Sequence, residues 1–460
     1  MKPNILFLVL DALPAKKCYG NSSKAKIPNI KKLMKNGVSF KHVISSGDET
    51  PVSFASMLTA KFPFNAGIRS SLWTYKYKTN SNNYIKILKK HGYRTYATLP
   101  KLTAWKEIFL DLEIDYYLSY NDRLFNGLGE KILEQLNQKE MTEPWFYLVH
   151  LMDSHKPIYY PDSFDSNEFG IDEYDRMISF VDTWIGKFLE QIDTKNTLVI
   201  ITADHGDYVR AITNNKKTIS FEYRTFANPT QKIRKIIPKK FHPLMISSLL
   251  AARNIITKIK LKKLGRELTP FEKRALTGAR SYTNHFLFDE LIHVPLIMAG
   301  AGLQKGLEIN EMVGSIDIFP TICKILKINE VNEMQDGVSL TPLIEGKEFQ
   351  ERVIYSETSL NLKNKDEGGY GIRTSKYKYF KSASKNNKKI HLYDLENDPL
   401  EEENLAVKEK KIVKKMENIL EELRKNMPHE NELQSNFKEQ SMTAEEIKDV
   451  ENELKKLGYI

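Results

Sequence analysis

Short apolar runs that end in polar residues recur along the chain and predict buried β-strands. Residues 4–12 read NILFLVLDA, an apolar run that stops at Asp11. The segments PWFYLVHLMDSHKP, NTLVIITADHGD and HVPLIMAGAG repeat this design. Runs of this length without apolar and polar alternation are typical of strands that are covered on both faces.

Helical patterns lie between these runs. In KIPNIKKLMKNGVSF, Pro28 opens a helix and Gly37 ends it, while Ile30 and Leu33 share one face. The segment YIKILKKHGYRTYATL predicts a helix that stops at Gly92 and is followed by another strand. The alternation predicts an α/β fold, in which a mostly parallel central sheet lies between two layers of helices.

Polar side chains gather where the predicted strands end. Asp11, His155, Asp204 and His205 each follow an apolar run. Functional sites of open parallel sheets form beyond the carboxyl ends of the strands, so we expect these side chains to lie at one edge. In SSGDETPVSFASMLTA, Thr50 stands where an N-cap belongs, directly before Pro51 as the first helical residue.

Composition and charge add two constraints. Cys18 and Cys323 are the only cysteines, which favours a reducing compartment and excludes a disulfide framework. The net charge is +10, but Arg210 to Thr283 alone holds 18 Lys and Arg against three acids. We expect a basic, largely helical insertion at 208–283, which could cover the site as a lid, guide an anionic substrate or contact an anionic membrane. No motif for nucleic acid accompanies the charge, so nucleic acid is not expected as a partner.

Nine stretches, in this order along the chain, resemble the sulfatase family of the alkaline phosphatase superfamily. They are NILFLVLDA…CYG, IPNIKKLMKNGVSF, TPVSFASMLTA, HLMDSHKPIYYP, TADHGD, FDELIHVPLIMAGAGL, VGSIDIFPTI, DGVSLTPLIEG and HLYDLENDPLEEENLA. The resemblance implies a three-layer α/β/α catalytic domain over residues 1–347. It also implies a small antiparallel subdomain at 348–405, and the pattern beyond it predicts a charged helical tail at 406–460.

The resemblance also assigns roles to residues. Asp11, Asp204 and His205 match the family's metal ligands, Thr50 falls at the position of its nucleophile, and His155 matches the histidine that assists the leaving group. Carboxylates with one imidazole and a hydroxyl suit one divalent ion, and Mn²⁺, Zn²⁺, Mg²⁺ and Ca²⁺ all remain open. Three weaker candidates for substrate or second-metal contacts are Asp153, His285 and Lys101.

The chain also departs from the family pattern. Ala12 stands where many members have a second acid, and Phe54 stands where the Cys/Ser-x-Pro-x-Arg pattern has its arginine. Thr50 replaces the residue that sulfatases oxidise to formylglycine, so no formylglycine is expected. A threonine sulfate could not eliminate sulfate from its own carbon, whereas a threonine phosphate can be cleared by attack at phosphorus.

These features predict a metal-dependent hydrolase or transferase that acts on a sulfate or phosphate ester, with chemistry closer to phosphodiesters and phospho-group transfer. Its expected substrate is an anionic ester, for example on a glycan or lipid head group. Two alternatives stay open: a true sulfuric ester hydrolase without formylglycine, and an inactive relative that binds anionic glycans or lipids. The first apolar run is short and lacks a cleavage site, so a cytoplasmic protein, with membrane contact through 208–283, is expected.

Overall fold

The computed structural model describes most of the chain outside the basic insertion and the tail. The described residues are 2–19, 23–66, 83–101, 108–109, 111–117, 122–137, 141–155, 158–209, 211–214, 217–220, 266–277, 287–330, 335–358, 368–382 and 389–425, with the isolated residues 259, 261, 262 and 448. Much of the predicted insertion and of the predicted tail therefore lies outside the described residues.

The strands of the described residues form a large sheet, a smaller sheet and a hairpin. Their bounds are β1 (Asn4–Leu10), β2 (Gly37–Ile44), β3 (Arg94–Pro100), β4 (Glu113–Tyr117), β5 (Trp145–Leu151), β6 (Thr197–Thr202), β7 (Ala211–Asn214), β8 (Lys217–Ser220), β9 (His293–Gly300), β10 (Leu307–Gly314), β11 (Ile354–Glu357), β12 (Gly369–Arg373), β13 (Tyr377–Ser382) and β14 (Ile390–Asp394). The large sheet has the order β10-β2-β9-β6-β1-β5-β3-β4. All of its neighbouring pairs are parallel except those of β9, which runs antiparallel to both β2 and β6.

Helices cover both faces of this sheet, and their bounds are α1 (Pro28–Lys35), α2 (Thr50–Thr59), α3 (Pro63–Ala66), α4 (Tyr84–Lys90), α5 (Leu128–Asn137), α6 (Glu173–Glu190), α7 (Pro270–Thr277), α8 (Asp289–Ile292), α9 (Ile318–Ile325), α10 (Thr341–Ile344) and α11 (Lys410–Arg424). In one layer α6 contacts α1 and α5, and in the other α2 contacts α4 and α9. All seven residues of β1 are buried between the layers. The prediction of a mostly parallel sheet between two helical layers is confirmed.

The core explains why the apolar runs lie where they do. Phe7 of β1 stacks on Phe319 of α9 with 5.5 Å between ring centroids, and Phe146 of β5 lies 6.1 Å from Phe7. Each of these rings removes a large apolar area from water. The central strands are therefore fixed in register, so that polar residues just beyond their ends stay at the sheet edge.

Strands β11 to β14 form the separate small antiparallel sheet that was expected. Helix α11 contacts β12 and β13 of this sheet, and Met416 and Leu420 on α11 are buried there. The first part of the predicted tail thus lies against the C-terminal sheet. The domain boundaries at 347/348 and 405/406 stay predictions.

A buried group of charges joins the C-terminal sheet to α8. The Lys378 ammonium on β13 lies 2.8 Å from Glu401 Oε1 and also donates to Asp289. Arg373 Nη2 donates to the second Asp289 oxygen at 3.0 Å. Since Lys378 is 1% exposed and Glu401 is 1% exposed, each charge depends on its partners for compensation.

Replacing Lys378 by methionine is expected to lower the free energy of unfolding by about 3 kcal/mol, because the carboxylate of Glu401 would stay buried without its cation. Urea unfolding followed by circular dichroism measures this change. Lys376→Met is the control, because Lys376 pairs with Glu396 at 2.9 Å on the exposed surface, where a pair contributes at most about 1 kcal/mol. Equal losses for the two variants would contradict a special role of the buried cluster.

Within the described residues, we find no helix that combines the length and the apolar character needed to cross a bilayer.

Candidate active site

Asp11 lies at the carboxyl end of β1 and is completely buried. Its amide donates to the Leu151 carbonyl of β5 at 2.9 Å, and the hydroxyl of Ser154 donates to the Asp11 carbonyl. Both contacts come from the neighbouring strand and the turn after it. The backbone at Asp11 is therefore held from β5, and its side chain is free to face the start of α2.

Thr50 begins α2 beside Asp11. The N-cap of α2 is Glu49 rather than Thr50, so the predicted helix start was wrong by one residue. The Thr50 hydroxyl makes no cap contact, because it donates to Asp11 Oδ1 at 3.1 Å. It also lies 3.5 Å from Nε2 of His205. A hydroxyl at the N-terminus of a helix meets the positive end of the helix dipole, which favours an anion there.

Asp204 and His205 follow β6 at the same edge. Asp204 Oδ1 accepts from the amides of Ala12, at 3.1 Å, and of His205, at 2.9 Å. The His205 ring is oriented by the contact of its Nδ1 with the Gly206 carbonyl at 2.8 Å. Gly206 is required here, because a Cβ at this position would lie 2.1 Å from the carbonyl oxygen of Glu290.

The three predicted metal ligands come together. Asp11, Asp204 and His205 each offer a ligand atom within 4.8 Å of the others, and all three residues are buried. Among the described residues, Oδ2 of Asp11 and Oδ2 of Asp204 have no hydrogen-bond partner. Two buried carboxylates with an unused oxygen each, beside an imidazole and a hydroxyl, fit a divalent cation.

The Asp11 carboxyl is held in its charged form. Its burial acts to raise the pKa, but the neighbouring imidazoles of His155, His150 and His205 hold the pKa of Asp11 well below its usual range. His155 is buried in the turn after β5, where its amide donates to the Met152 carbonyl at 3.0 Å, and its role as the leaving-group histidine stays a prediction.

The weaker candidates have different surroundings. Asp153 is buried, and its Oδ1 accepts from the Leu124 amide at 3.3 Å. Lys101 directly follows β3 at the same edge of the sheet and is exposed. His285 lies outside the described residues, so its predicted contact stays a prediction.

Asp153 predicts a pH-dependent stability. Burial, only partly offset by the charge of Arg123, raises the pKa of Asp153 to about 6. Because this pKa exceeds the value of the unfolded chain, the folded state loses stability as the pH rises through 4 to 6 and Asp153 ionises.

Asp153→Asn is therefore expected to stabilise the protein at pH 8, by up to about 3 kcal/mol, and to have little effect below about pH 4. Urea unfolding at several pH values measures this dependence. Asp193→Asn, at an exposed turn, is the control, and a gain for Asp153→Asn that does not change with pH would contradict the assignment.

His150 is the site residue that sequence reasoning missed. It lies on β5 and is completely buried. Its Nε2 is 3.5 Å from Asp11 Oδ1 and 3.7 Å from Asp204 Oδ2. A signal was available, because His150 is the one imidazole in the apolar strand WFYLVHL, and a buried imidazole needs polar neighbours.

Comparison with known proteins identifies the family of the chain. The family model described as Sulfatase matches residues 3–328 of the chain, and the model described as N-sulphoglucosamine sulphohydrolase, C-terminal, matches residues 279–426. The chain therefore belongs to the sulfatase family, and it is an ester hydrolase for sulfate or phosphate esters. Members of this family are metal-dependent, which agrees with the cluster of Asp11, Asp204 and His205.

Three relatives illustrate the range of the likeness. Choline-sulfatase of Rhizobium meliloti (strain 1021) is 22% identical, with 88% of this chain and 82% of the relative aligned. The phosphonate monoester hydrolase of Agrobacterium radiobacter has a TM-score of 0.67 at 16% identity and covers 93% of this chain and 96% of its own. A protein solved in complex with its substrate D-glucosamine-2-N,6-O-disulfate has a TM-score of 0.63 at 15% identity, with 92% and 98% covered. The two structural likenesses establish the fold, which is alkaline-phosphatase-like.

Proposed function

We propose that the chain cleaves a phosphate ester, preferably a phosphodiester, with unmodified Thr50 as the nucleophile. The observation that carries the proposal is the position of the Thr50 hydroxyl, which donates to Asp11 at 3.1 Å beside the buried metal cluster. Cys18 and Cys323 are not alternatives, because burial raises the pKa of each thiol to about 12 and keeps it protonated.

The metal site would be held by Asp11, Asp204 and His205, with Thr50 at its rim. A divalent cation bound there lowers the pKa of a coordinated hydroxyl and offsets charge on the ester oxygens. The low pKa of Asp11 keeps its carboxylate ready to accept a hydrogen bond from Thr50. The hydroxyl is thereby held in one orientation toward the incoming ester.

The reaction has two balanced steps. In the first, the Thr50 oxygen forms a bond to phosphorus, the bond from phosphorus to the leaving oxygen breaks, and His155 gives that oxygen a proton. The Thr50 hydroxyl gives its own proton to water in this step. In the second step, water attacks the phosphorus of the ester now carried by Thr50, and the bond from phosphorus to the Thr50 oxygen breaks. The remaining phosphate ester leaves, one proton of the attacking water goes to His155, and the Thr50 oxygen takes up a proton from solvent. Amides at the start of α2 stabilise the extra negative charge that develops on the phosphoryl oxygens.

The chemistry of threonine decides between phosphate and sulfate. Sulfatases typically carry formylglycine, whose hydrate can expel sulfate by elimination, and an unmodified threonine has no such route. A sulfate on Thr50 would persist after one turnover, whereas a phosphate can be displaced at phosphorus. The preference for phosphorus therefore depends on Thr50 staying threonine.

The substrate test uses the full chain with Mn²⁺ or Zn²⁺ and three p-nitrophenyl compounds: the phosphate monoester, a phosphodiester and the sulfate. We expect the phosphodiester to be cleaved fastest and the sulfate to give at most one equivalent of product per chain. Mass spectrometry of the peptide with Thr50 should show an unmodified residue. Repeated turnover of the sulfate would overturn the phosphate proposal in favour of a true sulfuric ester hydrolase, and no turnover of any compound would favour an inactive binding protein.

For the natural substrate we propose an anionic ester on a glycan or lipid head group. The aligned choline-sulfatase and the relative solved with a disulfated glucosamine support this class.

We also propose that the chain works in the cytoplasm, since Cys18 and Cys323 are both free. We further propose that the basic stretch within 208–283 contacts anionic membranes. Sedimentation with vesicles of anionic or neutral lipid tests that contact, and equal sedimentation with both would contradict it.

A further inference from the structure

His150 is a buried residue of the site to which the proposed reaction gives no role. It lies on β5, where it pairs in register with Val9 of β1. Its ring meets Phe54 of α2 edge-on, with 5.1 Å between ring centroids. The imidazole is therefore held between the sheet and α2, the helix that begins with Thr50.

Five donor atoms follow one another around a closed ring at this place. Going round from Asp11 Oδ1, the separations are 3.5 Å to His150 Nε2, 3.7 Å on to Asp204 Oδ2, 3.6 Å to His205 Nε2, 3.5 Å to the Thr50 hydroxyl and 3.1 Å back to Asp11 Oδ1. No other nitrogen or oxygen is needed to close the ring. His150 supplies the link between the two carboxylates on the side away from Thr50.

These separations, from 3.1 to 3.7 Å, are close to those of atoms that share one ion, and four of the five are slightly longer. Two donors that each lie about 2.1 Å from a cation are about 3.0 to 3.4 Å apart at octahedral or tetrahedral angles. The contacts of both imidazoles with Asp204 Oδ2 are longer than hydrogen bonds between charged groups, which measure about 2.7 to 2.9 Å. Oδ2 of Asp204 nevertheless lies next to both rings without a hydrogen-bond partner among the described residues. A cation between these atoms explains the geometry better than direct pairing does.

The charge of these donor groups also fits one divalent cation. At the position where many sulfatases have a second acid, this chain has Ala12, whose backbone has a φ of 55° and whose amide donates to Asp204. The set therefore contains two carboxylates, which balance one divalent charge. A neutral imidazole can take the place of the missing acid without adding charge to a fully buried site.

We propose that Nε2 of His150 is a ligand of the same cation as Asp11, Asp204 and His205, and that this second imidazole makes the site select Zn²⁺ or Mn²⁺ over Ca²⁺ and Mg²⁺. Imidazole suits transition metals, whereas Ca²⁺ and Mg²⁺ prefer oxygen-only sets. This inference rests on the metal site of the proposed function, and it adds both a ligand and a metal class to it.

The test measures metal binding without activity. The full chain is stripped with chelator and titrated with Zn²⁺, Mn²⁺ and Ca²⁺ by calorimetry, and with Co²⁺ by visible absorption. His150→Phe keeps the ring packing against Phe54 and removes the donor. His42→Ala is the control, because His42 stacks on His293 on another strand.

We expect wild type and His42→Ala to bind one Zn²⁺ per chain more tightly than Ca²⁺. His150→Phe should weaken Zn²⁺ binding by more than about 100-fold, since even indirect partners of metal ligands change affinity by about 10- to 100-fold, and it should change the Co²⁺ spectrum. His150→Glu, which replaces the nitrogen donor by oxygen, should keep binding but move the preference from Zn²⁺ toward Mn²⁺ and Mg²⁺. If His150→Phe fails to fold, this shift alone carries the test.

Wild-type affinity and an unchanged Co²⁺ spectrum in folded His150→Phe would overturn the inference. So would an unchanged metal preference in His150→Glu. Turnover that depends on Thr50 would leave the proposed function standing in either case. A folded wild type that binds no divalent ion would instead reject the inference and the metal site together.

Discussion

Replacing Thr50 by alanine is expected to lower turnover of the best phosphate ester by at least about 10⁴-fold, because loss of a nucleophile removes the covalent route altogether. The substitution removes only a methyl and a hydroxyl, and this hydroxyl makes no helix cap. The fold should therefore survive, and thermal unfolding should shift little. Steady-state kinetics with a p-nitrophenyl phosphodiester measures the effect.

Thr59→Ala is the matched control, since Thr59 lies at the other end of the same helix and its hydroxyl donates to the Ala55 carbonyl at 2.7 Å. Its turnover should stay near that of wild type. Thr50→Ser should keep part of the activity, because it preserves the hydroxyl. Acid quenching during turnover should also trap the remaining phosphate ester covalently on Thr50. Undiminished turnover in Thr50→Ala would show that water or another hydroxyl attacks the ester, and would reject the proposed nucleophile.

Removing the metal should abolish turnover and lower stability together. In the stripped protein, Asp11 and Asp204 keep two buried carboxylates close to each other, each with an oxygen that lacks a hydrogen bond among the described residues. A cation present at about 1,000 times its Kd stabilises the folded state by about 4 kcal/mol. Chelator should therefore lower the Tm of wild type, and added Zn²⁺ or Mn²⁺ should restore both Tm and turnover.

Asp204→Asn should separate the two effects. The amide oxygen can still accept from Ala12 and His205, but one of the buried negative charges is gone. We expect this variant to lose turnover, to show no change of Tm with chelator, and to be at least as stable as stripped wild type. Asp193→Asn, at an exposed turn, should behave like wild type. Stoichiometric metal binding by Asp204→Asn, or a wild-type Tm that chelator leaves unchanged, would contradict the assignment of the site.

The residues of the site differ in how far the sequence alone could identify them. Asp11, Asp204 and His205 could be found because each follows an apolar run, and the carboxyl ends of parallel strands meet at one edge. The predicted start of α2 was one residue too late. The N-cap is Glu49 and not Thr50, and both residues are compatible with a helix start before Pro51. Only the contact with Asp11, 39 residues away, uses the Thr50 hydroxyl for something other than a cap.

The sequence by itself determined the strands and helices and their order. It also determined the acids and the imidazole at the strand ends. Both were accessible because apolar runs and the start and stop signals of helices depend only on neighbouring residues. The tertiary structure decided what depends on distant partners. It set β9 antiparallel to β6 and β2, since the direction of a strand follows from the path of the chain and not from its apolar pattern. It also brought His150 of β5 close to Asp11 and Asp204. Contacts across neighbouring strands depend on sheet order and register, and these cannot be predicted from the local sequence pattern.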